Sequence, residues 1–553
     1  MVLFALAACS GPDDVDDSTA DGEIVAFDLT LPHETAPLVR QVHVETDTQS
    51  TLRVVFSSGD HEVEVVFPEE ATTHDHLLLG FRPGLTYDVT ATATFSGNEA
   101  DATVSTTTAG PWAHLPSVEI VTDDEARRAP GDTLIPLRCP VSGCGDPNEL
   151  VFGIDAQGEI VYVLDVGGPE MPGGDTMQDV VEYDGGLLVL SGTTSVSAVH
   201  YAWDGTELAR WRVGATEPDT VNVASAWAET FHHDLITHPS VPDHFLALGH
   251  YPLSGVEYPM DYNNPDLMDP NATISDDVAL EFATDGTVVR EAKLSDYLPT
   301  SRIGYDSLDS VNGMSAIDWA HGNAIQLDPA DDGWVLSLRN QDAVVKIDPD
   351  APGEVAWIAG VPDNWPPAFE HLLLTPVGSP FAWQFHQHAA LFLDEGAGMK
   401  RLLVYDNGNA QTTPYSGVDP LVLPDVGQPL PAGLRSRVVA YTIDEPARTI
   451  RQDWTFDTPQ GGTLFTEAVG DVDLLANGNA VSTWGFLQTL PGGTVWYEDA
   501  ERGSKGVRII EFDPATLDEI WHVHLSTDRA VNEEGVTAYR SERIAPLAGR
   551  VID

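Results

Sequence analysis

Lysine is nearly missing from this chain: four residues, Lys293, Lys346, Lys400 and Lys505, in 553. Basic residues number 26 against 87 acidic ones, giving a formal charge of −61. A surface so acidic repels nucleic acid and anionic lipid, which excludes a nucleic-acid role. No apolar run approaches the roughly 18 residues of a membrane-spanning helix. Cysteine is scarce, three residues in all, and their spacing fits no common zinc motif. Gly503-Ser-Lys-Gly lacks the glycine spacing of a phosphate-binding loop, so nucleotide binding is unsupported. No Gly-x-Ser-x-Gly turn occurs, which argues against a serine hydrolase.

What is present begins with enough apolar matter, 42%, to rule out disorder for most of the chain. Leu6-Ala7-Ala8-Cys9 closes a short apolar opening and resembles a bacterial lipoprotein box, with Cys9 as the lipidated residue. That opening lacks the usual basic residues, which implies a start further upstream. Gly11 to Gly22, with five aspartates, reads as a solvated tether, so residues 1–22 form a lipoprotein-like signal and acidic tether. The expectation is an exported protein, periplasmic or at the outer membrane or cell surface, touching membrane only through a lipid anchor. Cys139 and Cys144 then pair as a local disulfide that shapes one loop and contributes little to global stability.

Residues 23–109 alternate with period two between turn residues, as in Glu62-Val-Glu-Val-Val-Phe and Tyr87-Asp-Val-Thr-Ala-Thr. Pro83-Gly-Leu-Thr-Tyr-Asp-Val-Thr-Ala resembles a late strand of fibronectin type III domains, and the segment reads as a small β-sandwich. Residues 110–553 repeat an apolar–Asp–turn–apolar hairpin anchored at Asp155, Asp204, Asp285, Asp348, Asp444 and Asp513. Most copies follow a strongly apolar strand such as Gly333-Trp-Val-Leu-Ser-Leu. Four strands per unit in six units predict an all-β protein with a six-bladed β-propeller after the sandwich. Aspartate-rich turns such as Asp348-Pro-Asp serve hairpins more often than Ca²⁺.

Aligned by their apolar strands, three histidine clusters fall at one structural position. They are Phe231-His-His-Asp, Trp319-Ala-His-Gly-Asn and Phe385-His-Gln-His-Ala, and each begins a blade's first strand. First strands line the channel of a propeller, so these imidazoles are expected to converge. Arg339, on the strand after His321, is a rare cation whose fork matches a tetrahedral oxyanion.

Asp318-Trp-Ala-His-Gly-Asn with Ser337-Leu-Arg-Asn-Gln-Asp, and Gln387-His-Ala-Ala with Tyr405-Asp-Asn-Gly-Asn, resemble the bacterial arylsulfate sulfotransferases, which use no nucleotide donor. Ser436-Arg-Val-Val, Gly470-Asp-Val-Asp-Leu-Leu and Tyr539-Arg-Ser-Glu-Arg-Ile follow in the same order, so the likeness spans roughly residues 225–545. The resemblance implies that His388 is a nucleophile forming a transient sulfohistidine, with His321, Asn323 and Arg339 holding sulfuryl oxygens. It implies that His232 or His233, with a slight preference for His233, also faces the sulfate, and that Thr466 supplies a hydroxyl. The partners would be an aryl sulfate donor and a phenolic acceptor, in ping-pong order, without cofactor or metal. Two rivals stay open: a metallohydrolase or lyase using His232, His233, His321 and His388, and a surface-anchored binding propeller. Homo-oligomer formation stays open as well.

Overall fold

The computed structural model describes residues 22–552 except 111, 113–114, 139–148, 167–177, 193–195, 312–314, 426, 458–462, 488, 491–492, 496–505 and 527–534. Cys9, Cys139 and Cys144, and with them the lipidation and the disulfide, lie outside the described residues. The described chain is all-β: strands joined by turns and three short 3-10 turns, with no α-helix among the described residues. None of its helices is long and apolar enough to cross a membrane.

The alternating N-terminal segment forms one sheet of five strands, Ile24–Thr30, Arg40–Ser58, His61–Leu78, Thr86–Thr94 and Glu99–Thr107. The long strand Arg40–Ser58 pairs with three others, and Val42, Val54, Phe56, Phe81 and Tyr87 fill the core beneath it.

After this come, among the described residues, six sheets of four or five strands whose main strands run as antiparallel meanders, besides a small two-stranded ladder of Thr489–Leu490 with Thr494–Val495. The first contains Asp132–Arg138, Glu149–Ile154 and Ile160–Asp165, and it is completed by Thr537–Ala538 and Glu542–Ile544 from the C-terminal end. The next four start at Asp179–Tyr183, Thr230–Thr237, Gly322–Leu327 and His388–Gly396. The sixth runs Asp471–Leu474, Ala480–Leu487, Gly506–Phe512 and Glu519–Ser526, and Ser117–Asp123 from the N-terminal side closes its edge. From Asp179–Tyr183 to Asp471–Leu474, each starting strand touches the next. The starting strands therefore share one interior.

The aspartate repeat has a direct cause. Each anchor sits where a sheet's last two long strands meet, and its carboxylate accepts a backbone N–H from within the turn. The acceptors are Asp155, Asp204, Asp285, Asp348, Asp444 and Asp513, bonded by the N–H groups of Gln157, Thr206, Thr287, Asp350, Ala447 and Ala515 at 2.8–3.0 Å. An Asx turn supplies the bond that a tight hairpin otherwise lacks.

Two of the rare lysines clamp neighbouring sheets. Lys346 and Lys400, both buried, share the fully buried Asp328 at 2.5 and 2.7 Å. Asp331, Glu445 and Asp394 complete the cage. Removing one member of such a buried group strands the other charges in a low dielectric. Asp328→Ala is therefore expected to cost about 3–5 kcal/mol in denaturant unfolding; a loss below about 1 kcal/mol would show that the cage contributes little.

Candidate active site

Three of the starting strands open with a break in register. The ladder skips between His232 and Leu235, between Gly322 and Ala324, and between His388 and Ala390. Beside each break a non-glycine residue takes left-handed backbone: His233 (φ 58°), His321 (φ 52°) and Ala389 (φ 44°). Each such residue costs about 1–2 kcal/mol, and a bulge re-aims the side chains next to it. His233 and His388 stand two residues before the strand resumes its pairing, whereas His321 stands three before. His321 is thus offset from the other two by one register position.

The rings of His233 and His321 meet edge to face with centroids 4.7 Å apart. Tyr539 stands between the clusters, 5.7 Å from His233 and 5.8 Å from His388. Its buried hydroxyl has no hydrogen-bond partner among the described residues. His232 turns away from this group: it stacks on His250 at 3.8 Å, and its Nε2 lies 3.2 Å from Asp277. Its Nδ1 meets the Nδ1 of His233 at 2.9 Å. Geometry thus separates two histidines that the sequence left together, with His233 in front and His232 behind.

His388 is clamped through Nδ1, 2.6 Å from Asn407 Oδ1. The Asn407 amide is oriented by its other end, where Nδ2 donates to the carbonyls of Thr466 and Val469, both at 2.9 Å. Oδ1 must therefore accept, Nδ1 of His388 carries the proton, and Nε2 keeps its lone pair. His321 is held likewise, its Nδ1 donating to Asp318 at 2.5 Å. Thr466 lies behind this front: its hydroxyl bonds Tyr405 at 2.8 Å and stays fully buried. Asn323 donates Nδ2 to the carbonyl of Gln387 at 2.7 Å, fixing the peptide that precedes His388, and its Oδ1 has no hydrogen-bond partner among the described residues. Arg339 reaches Asp306 at 2.8 Å and Asn340 at 2.8 Å, while its own N–H donates to the His321 carbonyl at 3.1 Å.

Burial, followed by the nearby Arg339 guanidinium, holds the His388 imidazole well below its ordinary titration range. Burial and then the neighbouring His321 and His232 do the same for His233. Burial also pushes the Tyr539 phenol far up. The pocket therefore presents neutral imidazoles and a neutral phenol beside a guanidinium.

One group of possible metal ligands exists among the described residues: His232, His250 and Asp277, with ligand atoms within 4.8 Å of one another. The two rings stack at 20°, so their in-plane lone pairs run side by side and do not converge as a tetrahedral ion requires. The quartet His232, His233, His321 and His388 does not form such a group.

Beyond the bulges, Asp234, Ala324 and Ala389 line a cavity of about 130 Å³ shared with Asp179, Asp473 and Glu542. Burial raises Asp179 to about 7 and Glu542 to about 8. Arg540 spans the wall, donating to Asp234 at 2.8 Å and Asp179 at 3.2 Å. Asn407, Tyr539 and Arg540 fall inside the stretches Tyr405-Asp-Asn-Gly-Asn and Tyr539-Arg-Ser-Glu-Arg-Ile. Their roles went unread because their partners are distant in sequence. His250, Asp277 and Asp318 had no distinguishing spacing.

Fold and site together define an all-β protein in which buried neutral imidazoles gather with an arginine where successive sheets meet. A family model described as Arylsulfotransferase (ASST) matches residues 144–540, well over half of the chain, and the chain belongs to that family. Over 246 residues it is 27% identical to the arylsulfate sulfotransferase AssT of Escherichia coli O6:H1 (strain CFT073), covering 41% of this chain and 36% of that one. Over 166 residues it is 31% identical to AssT of Lelliottia amnigena, covering 27% and 24%. The chain thus spans about a third or less of the length of these curated relatives. A solved structure of a Bacteroides caccae protein of unknown function aligns with a TM-score of 0.38 at 14% identity, covering 74% of this chain and 99% of that one. So slight a likeness carries no argument.

Specific ¹³C labelling of histidine and NMR titration would check the electrostatics. The His233, His250 and His388 resonances are expected to stay in the neutral form as pH falls through 6.5, because burial comes first among the causes lowering each of them. Titration of His388 near 6.5 would mean that its pocket is wet. The stability consequence has a definite sign: unfolding lets these rings take up protons, so their contribution is present above 6.5 and lost as pH falls below it.

Proposed function

We propose that this chain is a nucleotide-independent sulfotransferase that moves a sulfuryl group from an aryl sulfate to a phenolic acceptor through a sulfohistidine. The observation that carries this reading is the Asn407 clamp, which leaves the His388 Nε2 lone pair free as a nucleophile, with Arg339 and His321 close enough to oppose its protonation. Family membership supports it. In this reading the fold is a six-bladed propeller over residues 110–553, preceded by a fibronectin III-like sandwich over 23–109 and a lipoprotein-like leader over 1–22. The closure of the last sheet by an early strand supports the propeller.

The chemistry follows from the geometry. His388 Nε2 attacks sulfur in line, a new N–S bond forms, and the S–O(aryl) bond breaks with its electron pair on the leaving phenolate. That phenolate takes a proton from solvent. The ring then carries positive charge, which the Asn407 oxygen stabilises through Nδ1–H. In this reading Arg339 and the Tyr539 hydroxyl donate to the sulfuryl oxygens as charge develops, with Asn323, His321 and His233 lining the same site. In the second half-reaction His321 or His233 takes the proton of the incoming phenol. The phenolate oxygen forms the new S–O bond, and the N–S electrons return to Nε2. Thr466 acts from behind, through its carbonyl on Asn407.

A chromogenic aryl sulfate, with and without a second phenol, tests this. Release that depends on the second phenol, with its sulfate ester found by mass spectrometry, is the expected result. His388→Ala should lower turnover by more than about a thousandfold, and Arg339→Met by about a hundredfold. Unchanged turnover in His388→Ala would remove the mechanism.

A further inference from the structure

We propose that His386 is a positioning residue, a buried imidazolium that shares Asp306 with Arg339 and so leaves the guanidinium's charge for the sulfuryl oxygens. The inference rests on the transfer reading, since it gives that reading's oxyanion clamp its electrostatic support.

His386 is fully buried two residues before His388, at a left-handed position with φ 51°. Both of its ring nitrogens face acceptors. Nδ1 lies 3.1 Å from Asp342 Oδ1, while Nε2 lies 3.2 Å from the Tyr305 carbonyl and 3.4 Å from Asp306 Oδ2. Asp342 Oδ1 also accepts the backbone N–H of His386 at 2.8 Å, which locks the ring's base. A neutral imidazole with its proton on Nε2 would set the Nδ1 lone pair 3.1 Å from a carboxylate oxygen; a second proton there meets that charge, although the contact is not aligned as a hydrogen bond. With a carboxylate oxygen close to each ring nitrogen, the surroundings favour the imidazolium. Burial opposes this, but Asp342 and then Asp306 outweigh it, raising His386 to about 9.

Arg339 Nη2 donates at 2.8 Å to the same Asp306 oxygen that His386 faces. Asp306 thus stands between two cations, which hold its carboxyl far below the ordinary range against the effect of burial. Without the imidazolium, Asp306 would neutralise Arg339 alone and weaken its field at the pocket. The other groups of this network are Asp342, which pairs with the ring, and Arg302 and Asp406, which face Asp342 from other segments.

Inorganic sulfate, titrated calorimetrically into the full chain, reads the clamp without turnover. His386→Gln keeps a donor and removes the charge, and it should weaken sulfate binding by about tenfold. In an Arg339→Met background the same change should alter binding less than about twofold, since the effect passes through Arg339. In the unaltered protein, affinity should fall as pH rises through about 9, an arm that needs no variant to fold. Additive losses in the two backgrounds, an affinity flat between pH 7 and 10, or no sulfate binding by the unaltered chain would each overturn the inference. Sulfate binding that behaves as expected, without transfer to a phenol, would sink the transferase reading and leave the clamp standing.

Discussion

The site depends on a break in hydrogen bonding. At the head of three inner strands the ladder skips, and a residue with a Cβ is held in left-handed backbone. An unbroken ladder would alternate side chains strictly across each sheet and leave His233, His321 and His388 buried against their own neighbours. The bulges turn them toward one another. The strain is offset by what surrounds it: Asp277 accepts the Gly322 N–H, and Asn323 holds the peptide before His388. The most strained backbone and the most reactive side chains therefore coincide, as expected where a fold must over-determine a geometry.

A second constraint is the allocation of positive charge. With so few cations, the chain places them where a carboxylate already waits. Lys346 and Lys400 share Asp328, Arg437 pairs with Asp406, Arg540 with Asp234, and Arg543 with Glu511. Lys293 lies over Trp227. Some of the excess acid is interior too, as around the cavity, where Asp179, Asp234 and Asp471 surround Arg540. The pocket's field is set by a few buried groups and little by the formal charge, because low dielectric strengthens near charges and water screens far ones.

Much of the architecture was legible because it rests on local chemistry. The six aspartates are visible as a repeat since each makes the same two- or three-residue turn, and such turns depend on neighbours in sequence. The clustering of the histidines was legible for a similar reason: the strands after them alternate clearly. Their exact register was not, because a bulge adds a residue without leaving a mark in composition. Asn407 shows the limit most plainly. Its importance comes from two carbonyls about sixty residues further on, and no local pattern carries that information. His232 and His233 are equivalent as letters and differ only in which way a left-handed residue points them.

The pairing of Ser117–Asp123 with Glu519–Ser526 has a consequence for how the molecule is made. Those partners lie 409 residues apart at Ser117 and Ser526. At about 5–20 residues per second, the earlier strand emerges from the ribosome roughly 20–80 seconds before its partner exists. For that interval it is an open edge able to pair with any passing strand. Its sequence, Ser-Val-Glu-Ile-Val-Thr-Asp, carries two carboxylates among its apolar residues, so two waiting copies repel each other. The acidity that looks like a surface property of the finished protein also guards the nascent chain while its last partner is still untranslated.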